Sequence, residues 1–328
     1  MKYSKTLHLP VTPDEAFALV TEPERLRRWQ AVVARVDLRV GGEYRWTVTP
    51  GNNAVGTFRE IEPGRRLVFG FGWEGDAMGL SPDVSTVTVT FTPSGDGTEV
   101  LFEHDGLTPE QVPGHTEGWD HFMARLEAAA SSEEGAGPDP WAAYPQELTL
   151  VKTAEASLAV LLDVLRRVTP EDLEKPTPCS EFTVAELADH LAGSLLTVGT
   201  AGGGAPVDPS GVSIEERIAT LAQTAVEAYA RRGLEGTVTL RAGEVPAEVA
   251  ARILNIEFLV HAWDFATACG LDITVAEELS AAVEDVAHVL ITEGVRRNGS
   301  FSGELAASEA AGSLERLIAF TGRQPAQG

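Results

Sequence analysis

The 328-residue chain is predicted to be an α+β protein in two parts: a curved antiparallel sheet closing around one long helix, then an all-α bundle. Three observations predict this. Up to about residue 105 the apolar residues mostly alternate with polar ones between turn-forming Gly, Pro, Asn and Asp, which is the period of half-buried strands. Beyond residue 147 they recur three and four apart, the period of helices. Between the two, Ser131–Pro140 holds two prolines and two glycines and no apolar period, as a linker does. The expected boundaries are 1–130, a linker over 131–146, and 147–328, two domains of ordinary size.

The strands are expected at Tyr3–Leu9, Glu43–Thr49, Val55–Ile61 and Arg66–Phe71, followed by a hairpin of Val84–Thr92 and Thr98–His104 across Pro93-Ser94-Gly95-Asp96-Gly97. After the first strand, Thr12 and Pro13 open a helical stretch that carries Phe17, Leu19, Val20, Leu26 and Trp29. A longer helix follows the last strand, with Trp119, Phe122, Met123 and Leu126 three and four apart. In the second part the spacing predicts helices over Leu148–Val168, Thr183–Leu196, Ser213–Arg231, Pro246–Cys269, Thr274–Gly294 and Ser313–Phe320. One short strand-like run, Thr237–Leu240, interrupts them.

Lys and Arg number 25 against 49 Asp and Glu, a formal charge of -24. Both parts are acidic, with 12 basic and 19 acidic residues in 1–130 and 13 and 26 in 151–328. Nucleic acid and anionic membranes both require a positive surplus, so neither is an expected partner. Two cysteines, Cys179 and Cys269, make no disulfide framework and no Cys-x-x-Cys pair. The first ten residues lack the apolar core of a signal peptide, and no apolar run reaches the ~18 residues of a membrane span. The expected location is the cytoplasm.

In the first part, the stretch Thr12-Pro13-Asp14-Glu15-Ala16-Phe17 through Trp29, then Val40-Gly41-Gly42-Glu43-Tyr44, then Gly56–Pro63 and Gly118-Trp119 with Leu126, resembles the START-like (SRPBCC) helix-grip superfamily. The nearest branch is the one named after the activator of Hsp90 ATPase. The resemblance covers residues 1–130 and implies a cavity for a small hydrophobic molecule, for which Trp46, Phe69, Phe71 and Trp73 are the expected core or lining. It implies no co-chaperone activity, since fold carries little functional weight. His104, Asp105, His115, Glu117, Asp120 and His121 have no ligand spacing and are expected at the surface or in caps.

In the second part, Glu257 and His261 in Asn255–Asp264 sit one helical turn apart among apolar neighbours, where a polar pair needs a partner. His190 lies in another helix of similar character. Two facing helices would bring an imidazole, a carboxylate and a second imidazole together, the donor set of an open zinc site. Taken alone, Glu-x-x-x-His is a weak pattern, and its ordinary reading is an i,i+4 hydrogen-bonded pair with a core histidine elsewhere. The run Thr177–Leu187 leading to His190, the run Glu257–Asp264, and Leu317–Arg323 resemble the actinobacterial DinB-like bundles, which include mycothiol-dependent maleylpyruvate isomerase. This second resemblance covers residues 147–325.

It implies that His190, Glu257 and His261 hold a divalent metal, usually zinc, which keeps a low-molecular-weight thiol such as mycothiol as the thiolate. Asp264, three residues past His261, is expected to orient an imidazole from behind, with Asp189 the alternative. Cys179 is expected to be a buried small residue before a helix cap at Thr183 or Ser180. The isomerase carries a further C-terminal α/β domain with no counterpart here, so its reaction is not implied. The expected function is a metal-dependent enzyme of thiol-transfer or detoxification type acting on a small hydrophobic electrophile. The alternative is a non-catalytic protein that binds or sequesters such a molecule, as in resistance.

Overall fold

The computed structural model describes every residue except 133, 134, 146, 180, 242 and 325–328. The chain divides into two units, Met1–Asp139 and Pro140–Gly328.

The first unit is a seven-stranded sheet, entirely antiparallel, in the order β1-β7-β6-β5-β4-β3-β2. After β1 (Lys2–Leu9), Thr12 caps α1 (Pro13–Thr21): its hydroxyl accepts from Glu15 N, and the Glu15 carboxylate accepts from Thr12 N at 2.9 Å. This reciprocal arrangement satisfies two of the donors that a helix start leaves free. A short α2 (Pro23–Leu26) follows, then β2 (Val33–Val36), β3 (Glu43–Thr49), β4 (Asn52–Glu62), β5 (Arg66–Trp73), a 3-10 turn at Glu74–Gly79, β6 (Ser85–Ser94) and β7 (Gly97–Asp105). The long helix α3 (Val112–Ala130) buries Trp119, Phe122, Met123 and Leu126. The sequence spacing misses β2, a four-residue edge strand paired only with β3.

β5 shows how its sequence serves both faces. Phe69, Phe71 and Trp73 are buried in the core, while Gly70 and Gly72 alternate with them beneath residues 81–83. A Cβ on Gly72 would stand 1.9 Å from the Ser81 carbonyl oxygen, a backbone atom that no rotamer change can move. Gly72→Ala should therefore lower stability by about 3 kcal/mol, the upper part of the overpacking range. Gly114→Ala, in α3 with open space around it, should be neutral or stabilising by up to ~1 kcal/mol. Equilibrium urea unfolding of both variants checks this, and equal midpoints would refute the close crossing.

Residues 135–139, read from the sequence as linker, are hydrogen-bonded to the first unit. Ala136 N donates to Arg28 O at 3.0 Å, and Arg125 donates to Gly137 O at 2.7 Å and Pro138 O at 3.3 Å. Asp139 meets His121 at 3.0 Å. Glu133, Glu134 and Gln146 of that stretch lie outside the described residues.

The second unit begins with α4 (Pro140–Ala143) and then α5 (Leu150–Arg166). After a 3-10 turn at Pro170–Asp172 come α6 (Val184–Ala201), α7 (Ile214–Arg232), a hairpin of β8 (Thr237–Leu240) and β9 (Gly243–Pro246), α8 (Ala247–Cys269), α9 (Glu277–Leu290), α10 (Glu293–Arg297) and α11 (Ser313–Phe320). The unit is helical but not all-α, because the Thr237–Leu240 run finds a partner in β9. The stretch Thr274–Gly294 is not one helix either. Ile291 leaves helical geometry with ψ 73, and Thr292 caps a new helix through Val295 N. α8 packs against α5, α6, α7, α9 and both hairpin strands, so it is buried on nearly all sides from Leu254 to Ala266. No helix among the described residues is long and apolar enough to cross a membrane.

Candidate metal centre

α8 brings Glu257 and His261 into the bundle, and α6 supplies His190 opposite them. One donor atom from each of the three lies within 4.8 Å of the other two. His261 is buried, Glu257 half-buried and His190 exposed, so the cluster opens on the His190 side. The His190 ring stacks on Phe182, centroids 5.0 Å apart, and meets the His261 ring edge-on at 5.6 Å. Phe182 is set by a tight loop in which its N–H donates to Cys179 O at 2.9 Å and its carbonyl accepts from Thr177 N at 3.0 Å. Thr183 then caps α6; Ser180, the other capping candidate, lies outside the described residues.

The carboxylate of Glu257 is used asymmetrically. Ser194 donates to Oε1 at 2.9 Å. Oε2 is 3.3 Å from His261 Nε2, yet it forms no hydrogen bond and is shielded from solvent. A buried acceptor whose nearest donor, His261 Nε2, makes no well-formed bond with it is poorly satisfied. A cation shared with the two imidazoles would satisfy it, and two His with one carboxylate is a zinc donor set. The three residues thus fit a divalent metal.

Asp264 stands behind His261: Nδ1 lies 2.9 Å from Oδ2. Asp264 is wholly buried and is gripped from its other side by the Arg323 guanidinium, at 2.8 Å to Oδ1 and 2.9 Å to Oδ2. Burial alone would lower the His261 pKa, but the hydrogen bond to Asp264 and the nearby Glu257 and Asp264 carboxylates outweigh it and push it up to about 9. Burial would raise Asp264, but His261 and Arg323 hold it below the usual carboxylate range. Glu257 likewise is lowered against its burial, by His261, His190 and Ser194.

Asp189, the alternative to Asp264, points away and pairs with Arg217. Cys179 is half-buried and outside the three-residue cluster. Burial pushes its thiol up, against the Arg323 charge and together with the carboxylates of Asp264, Glu257 and Glu181. Arg323 was missed by sequence reasoning, which used it only as part of a terminal motif. Its partner is 59 positions away, so no local pattern could have found it.

In the first unit, His104 and His115 are buried, at 0% and 5% exposure, contrary to the surface or capping roles expected of them. Trp119 Nε1 donates to His104 Nδ1 at 3.0 Å, which leaves Nε2 to donate to Ser85 Oγ at 2.7 Å. Trp73 Nε1 donates to His115 Nε2 at 3.2 Å, and Nδ1 then donates to Gln111 O at 2.8 Å. Both rings are thereby held neutral. Asp105, Glu117 and Asp120 are exposed, as expected. Trp46, Phe69, Phe71 and Trp73 belong to one buried aromatic cluster with Tyr44 and Phe58.

Comparison with known proteins reaches parts of the chain, each under half of it. The family described as Activator of Hsp90 ATPase homolog 1-like protein matches residues 10–131. The uncharacterized protein Rv0738 of Mycobacterium tuberculosis is 32% identical over 165 residues, 49% of this chain and 90% of that one. Among solved structures, an Activator of Hsp90 ATPase homolog 1-like protein of Rhizobium etli is 37% identical over 45% of this chain and 91% of its own, with TM-score 0.37. DynU16, a protein of the dynemicin biosynthetic locus, is 21% identical with TM-score 0.37; the match covers 41% of this chain and 49%, about half, of DynU16. Residues 10–131 are therefore an Activator of Hsp90 ATPase homolog 1-like domain, and the chain belongs to one family with the mycobacterial protein Rv0738.

Proposed function

We propose that the second unit is a DinB-like zinc site of thiol-transfer or detoxification type, acting with a low-molecular-weight thiol such as mycothiol on a small hydrophobic electrophile. The observation that carries this reading is the buried Glu257 Oε2, without a hydrogen bond, facing two imidazoles. His190, Glu257 and His261 would hold the metal. When bound, a zinc ion lowers the pKa of a coordinating thiol so that it is deprotonated at neutral pH. The rest is done by the chain. Asp264 accepts from His261 Nδ1 and so turns the Nε2 lone pair toward the cluster. Ser194 occupies Oε1 of Glu257 and leaves Oε2 for the cation. Phe182 fixes the His190 ring by stacking, on the side from which solvent and substrate arrive.

A second reading, a non-catalytic protein that sequesters a hydrophobic molecule, draws on the first unit. Among the described residues, Trp46 Nε1 has no hydrogen-bond partner in the buried aromatic cluster, and a bound ligand carrying an acceptor would satisfy it.

Cobalt substitution separates the two. Titrating the cobalt-loaded protein with mycothiol or glutathione should add a sulfur-to-cobalt charge-transfer band. A spectrum left unchanged by every thiol tried would overturn thiol transfer, and tryptophan quenching by hydrophobic compounds alone would favour sequestration.

A further inference from the structure

Asp264 orients His261 only if its own carboxylate is held still. The residue is 0% exposed, where an unpaired charge is strongly unfavourable. Its holder comes from elsewhere in the chain. Arg323 lies three residues beyond α11, and its Nε is 2.8 Å from Oδ1 and 3.1 Å from Oδ2, with Nη2 2.9 Å from Oδ2. The planar fork therefore covers both oxygens and stops the carboxylate from rotating, while Oδ2 keeps a lone pair for His261 Nδ1 at 2.9 Å. Arg323 is itself placed by the turn that closes α11: its N–H donates to Ile318 O at 3.1 Å, and the Thr321 hydroxyl donates to the same carbonyl at 2.8 Å. The start of α11 is tied to α9, where Ser313 N donates to Glu277 Oε1 at 2.9 Å.

We propose that Arg323 is a positioning residue of the metal centre: acting through Asp264, it fixes the His261 Nδ1–H and aims Nε2 at the space shared with Glu257 and His190. The inference rests on the metal reading above and adds a link to it. Lysine would keep the charge but not the fork, so it cannot hold both oxygens.

The test is zinc affinity, by competition with a chromophoric chelator, in the full-length wild type and in R323M, R323K, D264N and the D264N/R323M double variant. R323M should bind zinc about 10–100-fold more weakly, the usual effect of losing a residue that orients a ligand. R323K should recover part of that loss. With Asp264 already replaced, removing Arg323 should cost less than about threefold, because the effect runs through Asp264. Ligand-field bands of the cobalt-loaded protein should shift in R323M and move partly back in R323K. A folded R323M that binds within about twofold of wild type overturns the proposal, as does an equal loss in the D264N background. Where R323M does not fold, R323K decides: wild-type affinity and an unshifted cobalt spectrum overturn the proposal. A wild type that binds no zinc overturns the metal reading and this link together, whereas a zinc-binding wild type with indifferent Arg323 variants overturns this link alone.

Discussion

His190→Ala should empty the metal centre without loosening the bundle. Wild-type protein prepared without chelator should carry near-stoichiometric zinc. Losing one of three protein ligands should weaken binding by more than the ~100-fold upper value for a supporting residue. Because His190 is exposed on α6, helical circular dichroism and the urea midpoint should not move. His261→Ala should lose the metal too, but it also leaves Glu257 and Asp264 buried without their shared imidazole. Breaking such a group from one side costs about 3–5 kcal/mol. The two variants thus differ in stability while agreeing in metal content, as read by elemental analysis. Zinc must also displace a proton from His261, whose pKa in the metal-free site is about 9. Affinity should fall as pH drops below that value, with proton release measurable by calorimetry in two buffers. Metal content unchanged in His190→Ala would sink the assignment.

Mild acid should unfold the first unit first. His104 is held near pKa 3, mainly by burial, with repulsion between two protonated rings at His104 and His115 adding to it. His115 too is lowered by burial, against the hydrogen bond to Gln111. Both rings are neutral in the fold, whereas the unfolded chain takes up protons below about pH 6.5. Stability from these rings is therefore fully present above pH 6.5 and lost as pH falls toward the folded value. From pH 6.5 to 5 the His104 contribution alone is about 2 kcal/mol, in a range where carboxylates still carry their charge. Urea unfolding followed by tryptophan fluorescence should show the loss, since Trp119 and Trp73 donate to these rings. His104→Gln should be less stable at pH 7 yet lose less on acidification. A midpoint for this unit that is flat from pH 7 to 5 would refute the neutral, buried assignment.

What the sequence made legible follows from the range of each signal. β6 and β7 are visible because their alternation is long and their turn is rich in Gly and Asp. β9 is not, because it is four residues bounded by Gly243 and Pro246 and acquires meaning only beside β8. The Glu257–His261 pair is readable from one helical turn, and the apolar residues around it already say that it is buried. Its meeting with His190 is tertiary: the similar character of the two helices nominates that histidine, and the resemblance to known bundles strengthens the nomination. The burial of His104 is legible in strand parity: Val100, Phe102 and His104 share one strand face, and the first two are core. His115 likewise stands four residues before Trp119 on one helix face. At both positions the face an alternating or helical period assigns is a better guide than the polarity of the side chain.

The register of β1 bears on how the chain comes into being. Lys2 pairs with Asp105 and Leu9 with Thr98, so the earliest strand of this unit has, among the described residues, β7 as its only partner in the sheet and packs also against the still later α3. At roughly 5–20 residues per second of synthesis, Tyr3, Leu7 and Leu9 wait on the order of 5–20 s before their shelter exists. Through that interval β2 to β6 can pair with neighbours made just before or after them, while β1 remains an open, partly apolar edge on the nascent chain. The strand of this unit made earliest is thus among the last to fold, and a ribosome that pauses before residue 97 holds that edge exposed for as long as it pauses.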